Sequence, residues 1–157
     1  MAVCRSSPVA DTRARLPFVP RIPFVDLLGF ELLHFDDGRS ELCLEPLPEH
    51  LNSFHVVHGG MILSLMDVAM AVAARSVRKD MGVVTIELKT SFLQAAAGRL
   101  TARGLLLHCT RTLAFAEARV LDEHGSLCAH ATGTFKYRAR TGAPVDGGNP
   151  GAGIATD

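Results

Sequence analysis

The amino-acid sequence predicts an α+β domain in which an antiparallel sheet of about six strands wraps around one long helix. From Met61 to Ala74 almost every side chain is apolar, on all faces of the helix. This pattern is typical of a helix that other elements enclose on nearly all sides. Segments with strand patterns and short turns flank it, two before and four after. One helix segregated from runs of antiparallel strands indicates the α+β class.

The strands are indicated by alternating apolar and polar residues and by the turn residues between them. The first two, residues 30–35 and 40–44, are separated by Asp36-Asp37-Gly38, which is a hairpin signal. The helix is predicted at about residues 58–77. The strands that follow it are predicted at residues 83–93, 100–110, 113–121 and 127–137.

The chain of 157 residues is long enough for one domain with a sizeable core. We place this domain at residues 23–138. Residues 1–22 mix arginine and proline without periodicity and are expected to form a flexible N-terminal arm. Residues 139–157 are rich in glycine, proline and alanine and are expected to be a disordered C-terminal tail.

Composition excludes several classes of function. Sixteen basic and sixteen acidic residues give a formal net charge of zero, so the sequence indicates neither nucleic-acid nor membrane binding. Asp67 in the middle of the helix argues against a membrane span. The N-terminus has no long apolar segment of the signal-peptide kind, and the four cysteines are widely spaced. These features predict a cytoplasmic protein with reduced thiols and no metal site.

Candidate site residues cluster around the helix. The triplet His58-Gly59-Gly60 stands at its start, where free backbone amides bind an oxyanion or a carbonyl oxygen. Asp67 is a carboxylate in an apolar helix, which is costly unless something uses or satisfies it. Singly, each has a structural explanation: a tight helix entrance, a cap, a satisfied polar group. Together with Asn52 they supply an oxyanion donor, an acid or base and an orienting amide.

These residues carry a resemblance to a known family. The segment 52–67, with its Asn52, His-Gly-Gly and Asp67 spacing, is followed by the matching segments 82–88 and 125–135, the latter ending in Ala-Thr-Gly-Thr-Phe. From about residue 24 to residue 137 the chain resembles the hotdog-fold acyl-CoA thioesterases of the PaaI-like type. The resemblance implies a hotdog fold and hydrolysis of an acyl-CoA thioester. It implies no metal or redox cofactor.

The resemblance also implies a role for each matching residue. Asp67 corresponds to the family's catalytic carboxylate, which attacks the thioester carbonyl or activates water. Gly59 corresponds to the residue whose backbone N–H polarises that carbonyl. Asn52 and His58 correspond to residues that position the water and the thioester, and Thr85 to a hydroxyl that holds the water. Coenzyme A carries phosphates, so basic side chains are expected near the site. The candidates for binding coenzyme A are Gly60, Arg99, Arg103 and Arg111.

Helix geometry adds an inference about assembly. Eight residues at the rise of an α-helix place Gly59 and Asp67 roughly 12 Å apart. Groups that act on one carbonyl need contacts of about 3 Å. If both act on one thioester, they come from different subunits of a homodimer at least. The family implies a homotetramer built as a dimer of dimers.

The function predicted is a cytosolic acyl-CoA thioesterase that releases a free acid and coenzyme A. Two alternatives remain open at this point. One is a hotdog hydratase or dehydratase, in which His58 and Asp67 would form the acid–base pair. The other is a non-catalytic acyl-CoA-binding protein. The acyl group is not readable from the sequence, since aromatic, medium-chain and long-chain groups all suit an apolar channel.

Overall fold

A computed structural model describes residues 13–140 of the chain. In that part the chain forms two α-helices, one 3₁₀ turn and six strands. In chain order these are helix α1 (Pro23–Leu27), strands β1 (Glu31–Asp36) and β2 (Arg39–Leu44), the 3₁₀ turn Pro48–His50, helix α2 (Gly59–Ser76), and strands β3 (Met81–Phe92), β4 (Leu100–Cys109), β5 (Leu113–Leu121) and β6 (Leu127–Ala139).

The six strands form one antiparallel sheet in the order β1-β2-β4-β5-β6-β3, and α2 packs against it. The predicted α+β architecture is therefore confirmed. The predicted β1–β2 hairpin is also present. Asp37 and Gly38 at its tip both have positive φ angles, 47° and 70°, as the tight turns that suit twisted strands require.

Helix α2 is buried on most faces but not on all of them. Its side chains facing the sheet are fully enclosed, among them Leu65, Met66 and Met70. By length and composition α2 could span a membrane, but 61% of it is buried inside the described structure, which is typical of a core helix. One stripe along α2 stays at least partly open to solvent. It consists of Gly60, Leu63, Ser64, Asp67, Ala71 and Arg75.

Small residues on the sheet let α2 approach closely. The inner face of the central strands is largely alanine, and Gly104 of β4 lies directly beneath the helix backbone. A Cβ added at Gly104 would lie 2.4 Å from the Ala69 carbonyl oxygen. The Ser40 hydroxyl donates to that same oxygen at 2.7 Å. The Tyr137 hydroxyl donates to the Ala74 carbonyl at 2.9 Å. These contacts fix the position of α2 on the sheet.

A bulge in β3 interrupts the alternation of its side chains between the two faces of the sheet. Strict alternation predicts that Thr85, Glu87 and Lys89 share one face of the strand. In the structure, Thr85 pairs with Phe135 and Glu87 with Thr134, so Ile86 is an extra residue in the ladder. A bulge of this kind reverses the alternation beyond it. Thr85 therefore shares the helix-facing side with Leu88, which packs against the core.

Part of the predicted N-terminal arm packs against the domain. Of the predicted arm 1–22, residues 1–12 lie outside the described residues. In the remainder, Leu16 bridges to Leu32, while Phe18 and Ile22 pack against the core. These contacts arise because the segment carries apolar side chains among its prolines. Of the predicted tail 139–157, Ala139 ends β6 and residues 141–157 lie outside the described residues.

The close approach at Gly104 generates a stability prediction. Gly104→Ala should lower the free energy of unfolding by about 1–3 kcal/mol, because the added methyl overlaps the backbone of α2. The matched control is Gly82→Ala, also in a strand, where the nearest atom to a new Cβ is 3.7 Å away. Chemical denaturation of both variants measures the difference. Equal midpoints for the two variants would contradict the packing described.

Candidate active site

Asp67 lies on the open stripe of α2, facing β3. The Thr85 hydroxyl donates a hydrogen bond to its Oδ1 at 2.7 Å. Burial raises the pKa of Asp67 above its usual value, and the Thr85 hydrogen bond acts in the opposite direction. A carboxylate in a partly apolar setting is a stronger base than one in water. The role that the resemblance implies for Thr85, a hydroxyl that holds the water, stays a prediction.

A cavity of about 360 Å³ opens beside this pair. We call it the Asp67 cavity. Its walls are mostly apolar side chains from α2, β3 and the segment before α1. The residues that line it are Pro20, Ile22, Phe24, Val25, Asp67, Val68, Ala71, Val72, Arg75, Gly82, Val83, Thr85 and Arg140. The region predicted to be a loose arm thus supplies part of the wall.

The start of α2 presents one available backbone donor. His58 is the N-cap, and its Nδ1 accepts the Gly60 N–H at 2.9 Å. Its carbonyl accepts the N–H groups of Met61 and Ile62. Among the described residues, the Gly59 N–H has no acceptor. Gly59 is therefore the residue whose amide can bind a carbonyl oxygen or oxyanion. The amide of Gly60, predicted to contact the substrate, is instead bonded to His58.

Asn52 organises the loop that precedes α2. Its Oδ1 accepts the N–H groups of Phe54 at 2.9 Å and Val56 at 3.4 Å. Asn52 and Gly59 line a second cavity of about 320 Å³, which we call the Gly59 cavity. The ring of Phe92 borders it and lies 3.4 Å from the position of a Cβ on Gly59. The side-chain amide N–H groups of Asn52 have no acceptor within residues 13–140.

One chain thus places the candidate residues in two separate groups, which we call half-sites. The structure brings Asp67 together with Thr85, and Asn52 together with Gly59, but it places the two pairs in different cavities. Two turns of α2, roughly 12 Å, separate Gly59 from Asp67. His58 lies beside Gly59, where its ring nitrogen caps the helix.

The three arginines predicted to bind coenzyme A line neither cavity. Arg103 pairs with Glu41 at 3.2 Å and Arg99 with Glu45 at 3.4 Å, so both offset nearby carboxylates. Arg111 lies in the β4–β5 turn, where its carbonyl accepts a hydrogen bond from Arg78.

Arg75 and Arg140 are the arginines at the Asp67 cavity, and the sequence interpretation missed both. Arg75 follows Asp67 by eight residues, which is two helical turns, so the same stripe carries both. That spacing in the sequence could have identified Arg75 as a residue of the site. Arg140 lies just beyond the last strand, where no motif marks it.

The arrangement suits acyl-transfer chemistry. A basic carboxylate with a hydroxyl partner can deliver or activate an oxygen nucleophile, and a free helix-start amide can stabilise an oxyanion. Neither half-site alone holds both groups.

Comparisons with known proteins agree with this chemistry. A family model described as the thioesterase superfamily matches residues 54–129. A conserved protein of Pseudomonas aeruginosa with a solved structure is 32% identical, with a TM-score of 0.72 over 75% of this chain and 95% of that one. A variant of the phenylacetic acid degradation protein PaaI from Thermus thermophilus is 27% identical, with a TM-score of 0.67 over 73% of this chain and 98% of that one.

A curated relative is named for its activity. The medium/long-chain acyl-CoA thioesterase YigI of Escherichia coli is 28% identical over 137 residues, covering 75% of this chain and 87% of YigI. The fold and these matches lead to one conclusion: the chain belongs to the thioesterase superfamily and is a hotdog-fold enzyme that hydrolyses thioesters.

Proposed function

We propose that this protein hydrolyses acyl-CoA thioesters at a composite site formed between two copies of the chain. The observation that carries the proposal is the separation of Asp67 with Thr85 from Gly59 with Asn52 on one chain. In a two-fold dimer, the Gly59 half-site of one copy can face the Asp67 half-site of the other. Each dimer then holds two complete sites. YigI, a relative named as an acyl-CoA thioesterase, supports coenzyme A as the leaving group.

Each group has a defined task in this mechanism. The thioester oxygen accepts the Gly59 N–H, which stabilises negative charge as the carbonyl carbon becomes tetrahedral. Asp67 either attacks that carbon directly or removes a proton from the water that does so. The carbon–sulfur bond then breaks, and the sulfur leaves as the thiol of coenzyme A, with the proton that the attacking water gave to Asp67. If Asp67 attacks directly, the sulfur leaves as a thiolate, and water then hydrolyses the acyl–Asp67 anhydride to the free acid and protonates the thiolate. Thr85 orients the Asp67 carboxylate through its hydrogen bond.

Strand β3 supplies a surface suited to the dimer. Within residues 13–140 it is an edge strand of 12 residues, with β6 as its one neighbour. A long unpaired edge is a template for pairing with another strand. Its exposed apolar side chains, Val84, Ile86 and Phe92, would be covered by a second copy. We propose pairing of the two β3 edges in a homodimer, with a dimer of dimers as the further assembly and the cytoplasm as its location.

Two alternatives would use the same residues differently. A hydratase or dehydratase would transfer protons through Nε2 of His58, since Nδ1 accepts the Gly60 N–H. A binding protein without turnover does not need a basic carboxylate beside a donor hydroxyl. Thiol release from an acyl-CoA, measured beside hydration of the matching enoyl-CoA, separates the three functions. Thiol release without hydration is the expected result, and hydration or binding alone would overturn the proposal.

Asp67→Asn tests the proposed role of the carboxylate. It should lower kcat by about two to four orders of magnitude, the scale of acid–base catalysis, with KM little changed. Because the pKa of Asp67 is raised in the folded protein, its stabilising contribution is present at low pH and is lost as pH rises through that pKa. At neutral pH the variant should therefore be at least as stable as the wild type. A destabilised variant with normal turnover would show that Asp67 is structural.

Thr85→Val tests whether the Thr85 hydroxyl acts on the Asp67 carboxylate. The measurement is the pH dependence of kcat/KM. The ionised Asp67 is the active form, so kcat/KM should fall with decreasing pH, with a midpoint above the usual 3.8 for aspartate. Removing the Thr85 hydrogen bond takes away the interaction that lowers the Asp67 pKa, so the midpoint should move to higher pH. Thr85→Ser keeps the hydroxyl and is the matched control. A Thr85→Val profile that coincides with the wild type, or moves to lower pH, would contradict this assignment.

A further inference from the structure

We infer that the far end of the Asp67 cavity binds an anionic group on the acyl chain, and that the enzyme prefers half-thioesters of dicarboxylic acids. This inference rests on the proposed function, because it places the acyl chain in the Asp67 cavity. It concerns the part of that cavity that the reaction itself does not use.

Two guanidinium groups lie at that end. Arg75 projects from the last turn of α2, and Arg140 follows β6; both line the cavity. Arg75 is held in place, since its Nη2 donates to the Val19 carbonyl at 2.9 Å and its Nε to the Met81 carbonyl at 3.3 Å. The stem of Arg140 passes over Gly82, with its Cγ 3.8 Å from where a Cβ would be.

Neither arginine has a carboxylate partner within residues 13–140. The other end of the cavity holds Asp67, two helical turns away. Burial and the nearby positive charge of Arg140 lower the pKa of Arg75. Arg75 is half-buried, whereas Arg140 is exposed. Two like charges close together repel each other, and an anion between them relieves that repulsion. The planar guanidinium groups also match a carboxylate geometrically.

The rest of the cavity suits the chain that would link the two ends. Between Asp67 and Arg75 the wall is apolar, with Ala71 and Val72 on the helix and Val83 on β3. The helical distance between the two ends is roughly 12 Å. A thioester at Asp67 would thus place a methylene chain along the apolar wall and a distal carboxylate at the arginines.

The two ends also set the direction of binding. The Asp67 carboxylate repels an anion at the reacting end, whereas the arginines attract it at the other. A neutral acyl chain would instead press a methyl group against two guanidinium groups, which lose hydration without gaining a partner. The cavity therefore discriminates by charge at the distal end of the acyl group.

The test compares esters of equal length that differ only in the distal group. Thiol release is measured for adipoyl-CoA against hexanoyl-CoA, and for suberoyl-CoA against octanoyl-CoA. For at least one pair, the wild type should favour the carboxylated ester in kcat/KM by about tenfold, the scale of a charged hydrogen bond. Arg140→Gln should reduce this ratio by about fivefold. Arg138→Gln is the matched control, because Arg138 is exposed nearby and lines neither cavity.

The outcomes separate this inference from the proposed function. The inference is overturned if the neutral esters are hydrolysed with no preference for the carboxylated ones. It is also overturned if Arg140→Gln leaves such a preference unchanged. Neither result contradicts the proposed thioesterase activity. If the wild type hydrolyses none of the esters, the proposed function fails. In that case, the dissociation constants of the same esters are measured with Asp67→Asn, and they test the inference independently of turnover. Tighter binding of the carboxylated ester that is lost in Arg140→Gln supports it, and equal binding overturns it.

Discussion

Helix α2 is rigid, and its length constrains the chemistry of the whole molecule. The amide available for an oxyanion lies at its first residue, Gly59, while the carboxylate lies two turns further along at Asp67. An α-helix cannot shorten that separation, so one copy cannot bring both groups to one thioester. The division of the candidate residues between two cavities and the proposed dimer both follow from this constraint.

The packing of α2 determines which of its residues are available for chemistry. Alanines and Gly104 on the sheet allow the helix backbone to lie close to β4, and hydrogen bonds from Ser40 and Tyr137 to helix carbonyls hold it there. The larger side chains of α2 are thereby buried in the sheet. Asp67 is on the remaining stripe, where it is desolvated enough to be a good base yet still reaches a cavity.

The sequence predicted the features that local patterns encode. The apolar run identified α2, and the Asp-Gly turn identified the first hairpin. The spacing from Gly59 to Asp67 also predicted that the two groups act from different subunits, which remains a prediction. Tertiary contacts account for what was missed. The bulge at Ile86, which turns Thr85 toward Asp67, depends on pairing with β6. The packing of Phe18 and Ile22, and the approach of Arg140 to Arg75, join segments far apart in sequence.

The central claim is that Gly59 and Asp67 act on one thioester from different copies of the chain. Gly59→Pro removes the free amide, and proline suits the first position of a helix after an extended residue such as His58. Gly59→Ala keeps the amide and serves as the control. Gly59→Pro and Asp67→Asn should each be inactive alone. Equimolar subunits mixed and allowed to exchange should recover about a quarter of wild-type activity, since half of the dimers are hybrids with one intact site of two. If mass spectrometry verifies subunit exchange and no activity returns, the shared site is wrong.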